Sequence, residues 1–323
     1  MLSSGHSVTP TVVVFPEVTN DDLEKVEGML VTLHGPLTAT QNFFQGRYGQ
    51  VTLAANGRME NPTNKFRPNT PQALALSDTN ARTRILLDDG TSMQNPNPTP
   101  YIGLDNKLRA GDTLSSITGV IDYGLATNDN TKFGDYKIHP TQTLSFNRTN
   151  PRTSVPDTVD GNIKVASFNV LNYFTTFTDG TTATGLTGQG CTLNGANSAA
   201  NCRGANNNAE FIRQRSKIIA AIQAINADVV GLMEIQNNGN TAAQNLVDGL
   251  NAAMGANTYA VLPLPAQGTG IDAIRVAMIY KPAAVTLVGS SLSDTDAINN
   301  RPTLLQKFAA PNGQSFAVAV NHF

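Results

Sequence analysis

Residues 228–235 read DVVGLMEI, an almost unbroken apolar run that ends next to a carboxylate and decides the fold of the second half of the chain. A short run this apolar is typical of a strand that is covered on both faces, as in layered α/β proteins. Upstream of it, residues 208–226 bring Phe211, Ile218 and Ile222 onto one face at helical spacing, which predicts an amphipathic helix that packs on this strand.

The same alternation continues on both sides of this unit. Residues 163–170 (IKVASFNV) predict a strand, and residues 241–254 predict a second helix. Two further strands are expected at residues 274–280 and 316–321. Strands that alternate with helices predict a layered α/β domain.

The first half of the chain has a different pattern. Long connections rich in Asn and Pro separate strand candidates at residues 26–34, 50–54, 84–87, 112–123 and 136–146, with one helix candidate at residues 72–81. Five strands with little helix predict a small closed barrel of the OB kind. Strand number alone leaves a β-sandwich open as the alternative.

The length of 323 residues exceeds that of a usual single domain. Residues 147–161 (NRTNPRTSVPDTVDG) predict a linker because they are rich in Pro, Thr and Asp. The expected organisation is therefore an N-terminal segment (1–23), a barrel domain (24–146), this linker and an α/β domain (162–323).

Composition restricts the function classes. A net charge of -2 argues against a tight, sequence-specific nucleic-acid binder, but less against a hydrolase that neutralises a few phosphates with metal ions. No apolar run approaches the length of a membrane span.

Localisation follows from composition and cysteine usage. Low charge and loops filled with Asn, Thr, Gly and Ala favour a secreted bacterial protein whose leader is not visible in this sequence. Cys191 and Cys202 predict a disulfide that would contribute roughly 2–3 kcal/mol in an oxidising compartment. Two unpaired thiols in a cytosolic protein are the alternative.

Two polar side chains lie at the ends of apolar strands. Asn169 ends IKVASFNV, and Glu234 lies near the end of DVVGLMEI. A carboxylate in such surroundings is costly unless it is paired or bound to a metal, and both side chains offer the hard oxygen ligands that Mg²⁺ or Ca²⁺ prefers. The structural alternative is that Glu234 ends a strand in solvent and Asn169 starts a turn.

Seven stretches follow one another in a specific order: KVASFNVLNYF, NCRGA, EFIRQRSKIIAAI, ADVVGLMEI, DAIRVAMIYKP, RPTL and VNHF. Together they resemble the endonuclease/exonuclease/phosphatase superfamily, and in particular large extracellular bacterial nucleases with an OB-like domain before the catalytic one. The N-terminal segments EGMLVTL, GRYGQVTL, ILLDDG and DTLSSITGVIDYG are similar to the same group. The resemblance implies that the second domain is the first half of a four-layer α/β/β/α sandwich.

Carried over by residue, the resemblance implies a catalytic divalent metal, Mg²⁺ or alternatively Ca²⁺ or Mn²⁺, on Asn169 and Glu234. His322 would contact the scissile phosphate as a hydrogen-bond donor or acid. The phosphate side and the support of the site would come from Asp272, Arg275, Tyr280 and Asn321. Taken alone, Arg275 also suits an ion pair with Asp272, and Tyr280 and His322 also suit core packing.

The sequence departs from the family pattern in two ways. Gln236 and Asn237 stand where the family commonly shows an acidic or amide pair, so an acidic side chain is missing at these two positions. In the family, the Asp-x-Asn and Ser-Asp-His elements that activate the attacking water follow the stretch that VNHF matches, and the sequence ends there at residue 323. The expectation is therefore a fragment with weak or no hydrolytic activity, whose second sheet is largely absent and leaves an apolar face open.

The sequence thus predicts an extracellular, metal-dependent nuclease whose partner is nucleic acid, in particular DNA. A phosphatase or a phospholipid phosphodiesterase of the same superfamily is one alternative, because the metal chemistry is shared. A non-enzymatic module that binds nucleic acid or glycan is another. Such binding would use the one cluster of aromatic and basic side chains in the barrel domain: Phe43, Phe44, Arg47 and Tyr48.

Overall fold

The computed structural model describes residues 7–125 and 134–322. The chain divides into two compact units, Met1–Thr153 and Ser154–Phe323. Asn147 still pairs with Thr113, and the Arg148 guanidinium lies 3.0 Å from the buried Asp112 carboxylate, so the first residues of the expected linker are held on the first unit. None of the helices in the described ranges has the length and apolar character needed to cross a membrane.

In the first unit, the part of the chain that the structure describes forms six strands and three short α-helices. The strands are β1 (Thr11–Val13), β2 (Leu30–Gln41), β3 (Val51–Ala55), β4 (Arg84–Leu87), β5 (Thr113–Leu125) and β6 (Gly134–Pro140). The helices are α1 (Gln45–Tyr48), α2 (Pro62–Lys65) and α3 (Pro71–Ala81), and a 3-10 turn covers Asp22–Val26. Helix α3 begins with a proline in its first turn and a Thr70 cap on the Ala73 N–H, which are ordinary helix-start signals.

The sheet of this unit closes on itself. Its strand order is β1-β2-β3-β4-β6-β5, and a further pairing of β2 with β5 completes a five-stranded barrel around buried Val31, Leu53, Ile117 and Ile138. The pairing of β4 with β6 is parallel, and the other pairings within the barrel are antiparallel. The predicted closed barrel is therefore confirmed, and the β-sandwich alternative is wrong.

Closure depends on a bend in β2, which pairs with β5 along most of its length and with β3 only from Leu37 onward. The register of β2 against β5 shifts between His34 and Leu37. A Cβ atom at Gly35 would collide with the carbonyl oxygen of Leu114, so only glycine allows this approach of the two strands.

The described residues of the second unit form nine strands and two long helices. The strands are β7 (Val165–Tyr173), β8 (Cys191–Leu193), β9 (Ala196–Ser198), β10 (Val229–Gln236), β11 (Ala260–Val261), β12 (Ile274–Tyr280), β13 (Thr286–Asp294), β14 (Thr303–Ala309) and β15 (Ser315–Val320). The helices are α4 (Asn208–Ile225) and α5 (Thr241–Met254), with a 3-10 turn at Ala199–Asn201. Each helix and strand that the sequence predicts in this half is present.

Strand β10 is central to this unit. It pairs in parallel with β7 and antiparallel with β12 in a sheet of order β11-β12-β10-β7. One face of that sheet packs on α4 and α5 through Leu232, Ile222 and Leu246. The other face packs on a second sheet, β13-β14-β15, through Val229 and Phe308.

The expectation that the second sheet is largely absent is wrong. Strands β13 and β14, which the sequence analysis missed, form a hairpin, and β15 adds to it. This sheet covers the apolar face of β10 and β12, while Val165 of the edge strand β7 stays 48% exposed. The hairpin was missed because β13 reads TLVGSSLSD, whose Gly and Ser residues carry little strand signal. The described residues of this unit thus form three layers, α/β/β, of the four that the resemblance implies.

We expect Gly231→Ala to lower the stability of the second unit by about 1–3 kcal/mol, because overpacking a filled core forces its neighbours to move. A Cβ atom at Gly231 would lie 2.7 Å from Cγ2 of buried Val320. Thermal unfolding followed by circular dichroism measures the loss. The control is Gly46→Ala, where a Cβ atom meets nothing within 4 Å. Equal melting behaviour of the two variants would contradict this account of the sheet-to-sheet packing.

Candidate active site

The site begins with a bulge in β10. Its register shifts between Leu232 and Ile235 against both neighbouring strands, and Glu234 between them has a φ of 64°. This left-handed backbone is unusual for a residue other than glycine and is typical of functional positions. Because of the extra residue, Leu232 and Ile235 both face the helical layer, and Glu234 is released from the alternation of the strand.

The end of β7 surrounds the Glu234 carboxylate. Asn169 Nδ2 donates to Glu234 Oε1 at 2.9 Å, and the Asn172 backbone N–H donates to Oε2 at 3.1 Å. Leu171 and Asn172 both have positive φ, and the Leu171 N–H donates to Asn169 Oδ1 at 2.8 Å. Because β7 and β10 are parallel, their carboxyl ends lie at the same edge of the sheet, so this turn and the bulge meet there.

His322 reaches the same carboxylate from the second sheet. Its Nε2 lies 3.5 Å from Glu234 Oε1, close enough for an ion pair when the imidazole is protonated. Its Nδ1 is buried and has no hydrogen-bond partner among the residues that the structure describes. Asn321 beside it is exposed and accepts a hydrogen bond from the Thr303 hydroxyl at 2.6 Å. The structure therefore brings Asn169, Glu234 and His322 together.

The donor set of this cluster fits a hard divalent cation. Mg²⁺ is commonly held by one or two carboxylates while it keeps several water molecules, and Glu234 supplies such a carboxylate. The Asn169 amide nitrogen faces this carboxylate and its oxygen accepts from the Leu171 N–H, so the amide would have to turn to become a second ligand. Within the described ranges, no group of three or more His, Cys, Asp or Glu side chains is placed to hold a metal ion.

Asp272 lies in a separate ionic cluster. Its Oδ2 is 3.1 Å from Arg301 Nε, and its Oδ1 is 3.1 Å from Arg203 Nη2 in an ion-pair contact that is not aligned as a hydrogen bond. The ion pair of Arg275 with Asp272, which the sequence left open as an alternative, is not formed, because both carboxylate oxygens of Asp272 face Arg203 and Arg301. Sequence reasoning missed both arginines as site residues, although NCRGA and RPTL contain them. Arg203 is 39% exposed and lines a cleft of about 570 Å³ with Asp272.

The disulfide stands directly before Arg203. Cys191 and Cys202 are bonded, which confirms the predicted pairing and makes the unpaired-thiol alternative wrong. The disulfide is buried beside Phe174, Ala273 and Ile274. It therefore ties the loop that carries Arg203 to the start of β12.

Arg275 is not brought into either cluster. Its side chain belongs to a residue that is only 3% exposed, and its Nη2 donates to the Gly239 carbonyl at 2.8 Å and to Asn240 Oδ1 at 3.0 Å. Burial lowers the pKa of its guanidinium to about 10, so it still carries its charge at neutral pH. It supports the turn between β10 and α5 instead of facing a phosphate.

Tyr280 lies away from the cluster as well. It pairs with Val229 at the opposite end of β10 from Glu234, and its ring lies 5.9 Å from that of Phe308. Its location supports the core-packing alternative. His322 shows the opposite result, because its side chain reaches a polar cluster.

The amides after Glu234 hold loops in place. Gln236 Oε1 accepts hydrogen bonds from the backbone N–H groups of Thr175 and Thr176 at 2.8 and 3.1 Å. Asn237 Nδ2 donates to the Asp272 carbonyl at 3.0 Å. At the two positions where this sequence departs from the family pattern, the side chains therefore fix the segments on both sides of the cluster.

Comparisons with known proteins give a family model and partial structural matches. A family described as "Domain of unknown function (DUF8508)" matches residues 16–151. The sequence matches none of the curated proteins.

The chain is similar in part to the human Nocturnin catalytic domain (19% identity, 36% of this chain and 44% of that chain, TM-score 0.27). It is also similar to an endonuclease/exonuclease/phosphatase family protein from Bacteroides thetaiotaomicron (13%, 49% and 48%, 0.29). A third structure is D. rerio TDP2 complexed with a single-strand DNA product (15%, 32% and 36%, 0.24). This chain spans half or less of each of these three structures, and TM-scores this low do not by themselves establish a common fold.

We expect Arg275→Ala to destabilise the second unit by about 2–4 kcal/mol, because it leaves buried acceptors without a charged donor. Arg213→Ala is the matched control, since Arg213 is exposed on α4 and should change stability by less than about 0.5 kcal/mol. Thermal unfolding of both variants makes the comparison. If Arg275→Ala melts like the control, the structural role assigned to this guanidinium is wrong.

Proposed function

We propose that this chain belongs to a secreted, divalent-metal-dependent phosphodiesterase of the endonuclease/exonuclease/phosphatase superfamily that acts on nucleic acid, with DNA as its substrate. The observation that carries the proposal is that Asn169 and His322 both meet the Glu234 carboxylate at a bulged strand end. The seven ordered sequence stretches support the same assignment, since the three residues lie in three of them.

Asn169 and Glu234 would hold Mg²⁺, or Ca²⁺ or Mn²⁺ in its place. When bound, the ion supplies neutralisation of the charge on the phosphoryl oxygens. The Asn169 amide and the Asn172 N–H donate to the Glu234 carboxylate, so this carboxylate is oriented before a cation binds.

His322 would act on the phosphate as a hydrogen-bond donor or acid. Its Nε2 lies at the cluster, so a phosphodiester held there is within reach of a proton from the imidazole. Its Nδ1 is buried and has no hydrogen-bond partner among the described residues, so it can still pair with a further donor or acceptor. Asn321 and Thr303 fix the backbone next to it.

Arg203 and Arg301 would hold substrate phosphates in the place that the sequence assigned to Arg275. The two guanidinium groups share one carboxylate, Asp272, so their cluster keeps one net positive charge. The exposure of Arg203 leaves donors free for a phosphate in the adjoining cleft.

The first unit supports nucleic acid as the substrate class. Its five-stranded closed barrel with one parallel pair is consistent with the OB kind, which often holds single strands. Phe43 is 79% exposed, and the Arg47 guanidinium lies 5.8 Å from the centre of the Tyr48 ring. This surface also suits the second candidate, a non-enzymatic strand-binding module. A phosphatase or a phospholipid phosphodiesterase would share the metal cluster without using this surface.

Metal binding gives the first test. We expect calorimetric titration with Mn²⁺ to show one site in the second unit, and Glu234→Gln to weaken it at least about tenfold, which corresponds to 1.4 kcal/mol. Glu210→Gln is the control, because Glu210 caps the start of α4 by accepting from the Asn206 N–H. Unchanged Mn²⁺ affinity in Glu234→Gln would remove the metal site from the proposal.

Hydrolysis gives the second test. In line with the weak activity that the sequence predicts, we expect at most slow Mg²⁺-dependent nicking of supercoiled plasmid, abolished by EDTA and reduced about 100-fold or more by His322→Ala, because a positioned acid contributes that much. His34→Ala is the control, since His34 is an exposed residue of strand β2 in the first unit. Plasmid binding at low salt without any nicking, lost in Arg47→Ala, would favour the strand-binding module instead.

A further inference from the structure

A polar cleft of about 440 Å³ lies in the first unit, within the usual range of roughly 300–1,000 Å³ for small-molecule sites. It is separate from the cluster around Glu234, which belongs to the second unit. Four barrel strands or their ends and helix α1 supply its lining. The lining residues that matter here are Tyr48, Gln50, Asp88, Asp122, Lys137 and His139.

Two of these side chains are buried and incompletely bonded. Asp88 is 3% exposed and Gln50 is 6% exposed. Gln50 Nε2 donates to Asp88 Oδ2 at 2.7 Å, which fixes the orientation of the amide. Gln50 Oε1 then remains without a partner in the described parts of the chain, as does the buried Nδ1 of His139. Leaving such an atom unpaired costs about 1–3 kcal/mol, so the cleft calls for a ligand that donates hydrogen bonds.

The remaining contacts hold the lining rigid. Asp88 Oδ1 accepts from the Gly90 N–H at 2.9 Å, and Lys137 Nζ lies 3.6 Å from Asp88 Oδ2. His139 stands between two carboxylates, with Nε2 3.3 Å from Asp122 Oδ2 and Nδ1 3.6 Å from Asp88 Oδ1. The polar groups are therefore oriented before a ligand binds, which lowers the entropy cost of binding.

Charge selects among the ligand classes. The carboxylates of Asp88 and Asp122 are balanced by Lys137 and, when it is protonated, by His139, so the cleft has no positive excess to attract a polyphosphate strand. The Lys137 ammonium lies beside Asp88 and already pairs with this carboxylate. A neutral ligand that both donates and accepts hydrogen bonds meets these conditions, and hydroxyl groups do both.

The Tyr48 ring adds an apolar wall to these polar groups. We propose that this cleft binds a neutral saccharide, with ring hydroxyls donating to Gln50 Oε1 and the carboxylates while Lys137 donates to a sugar oxygen and the Tyr48 ring packs on the sugar. The ligand is free sugar or the end of a polysaccharide, since both present the same chemistry. The inference does not depend on the proposed phosphodiesterase activity.

The test is saturation-transfer NMR on the full 323-residue chain with a panel of neutral probes: glucose, galactose, N-acetylglucosamine, maltose and cellobiose. We expect at least one probe to bind, and Gln50→Met and Tyr48→Ala each to weaken that probe at least about tenfold, as expected for a lost hydrogen bond or ring contact. Tyr123→Ala is the matched control, because Tyr123 is a half-exposed aromatic of β5 that does not line this cleft, and it should bind like the parent.

Circular dichroism melts of all variants separate loss of binding from loss of folding, and Tyr48→Ala serves if Gln50→Met does not fold. Retention on an insoluble polysaccharide, competed by the soluble probe, identifies a polymer end as the source. If a soluble probe binds but no insoluble polysaccharide retains the protein, the ligand is free sugar. The proposal fails if no probe binds at 20 mM, on the order of the weakest specific sites. It also fails if Gln50→Met and Tyr48→Ala bind the probe as well as the parent does. A third contradicting result is that spermidine or oligothymidylate, and no sugar, binds the parent and loses affinity in Tyr48→Ala.

Discussion

The second unit depends on the left-handed backbone at Glu234. One residue inserted between Leu232 and Ile235 lets both apolar side chains stay in the helical core while a carboxylate leaves the strand sideways. Without the bulge, Glu234 would follow the strict alternation of β10 and face one of two apolar layers, where an unpaired carboxylate is costly. The neighbouring strand compensates for the strain, because Asn169 and the N–H of Asn172 both donate to this carboxylate.

Much of this architecture is readable from local sequence, and the reason is periodicity. Helix α4 and strands β7, β10 and β12 carry long apolar patterns, and the five barrel strands lie between turn-forming segments, so each overlaps its predicted position. The bounds of two barrel strands differ, because β2 continues to Gln41 beyond its predicted end at residue 34 and β6 ends at Pro140 before its predicted end at residue 146. Strands β13 and β14 have no such pattern, and their pairing is decided by the face of the first sheet that they cover. Tertiary contact, not local preference, makes those residues strands.

The site shows the same division. Asn169, Glu234 and His322 were identified from ordered motifs. Asn169 and Glu234 meet because the parallel strands β7 and β10 end at one edge, and His322 reaches them from the end of β15 in the second sheet. Arg275 was assigned to the phosphate side by the family resemblance, but residue type does not reveal which of several carbonyl acceptors the side chain will meet. The buried turn at Gly239 and Asn240 takes it, while Arg203 and Arg301 gather on Asp272 from loops distant in sequence. Such pairings depend on loop paths that spacing does not encode.

The bent strand β2 has a consequence for how the protein behaves in solution at high concentration. Around residues 31–33 it is bonded to β1 on one side and β5 on the other, and beyond the bend at Gly35 strand β3 takes the place of β1. Strand β2 therefore has hydrogen-bonded neighbours on both sides, and among the described residues of this unit the exposed sheet edge is the three-residue strand β1. A foreign strand finds no long edge there to extend, which protects the unit against fibre growth and strand exchange.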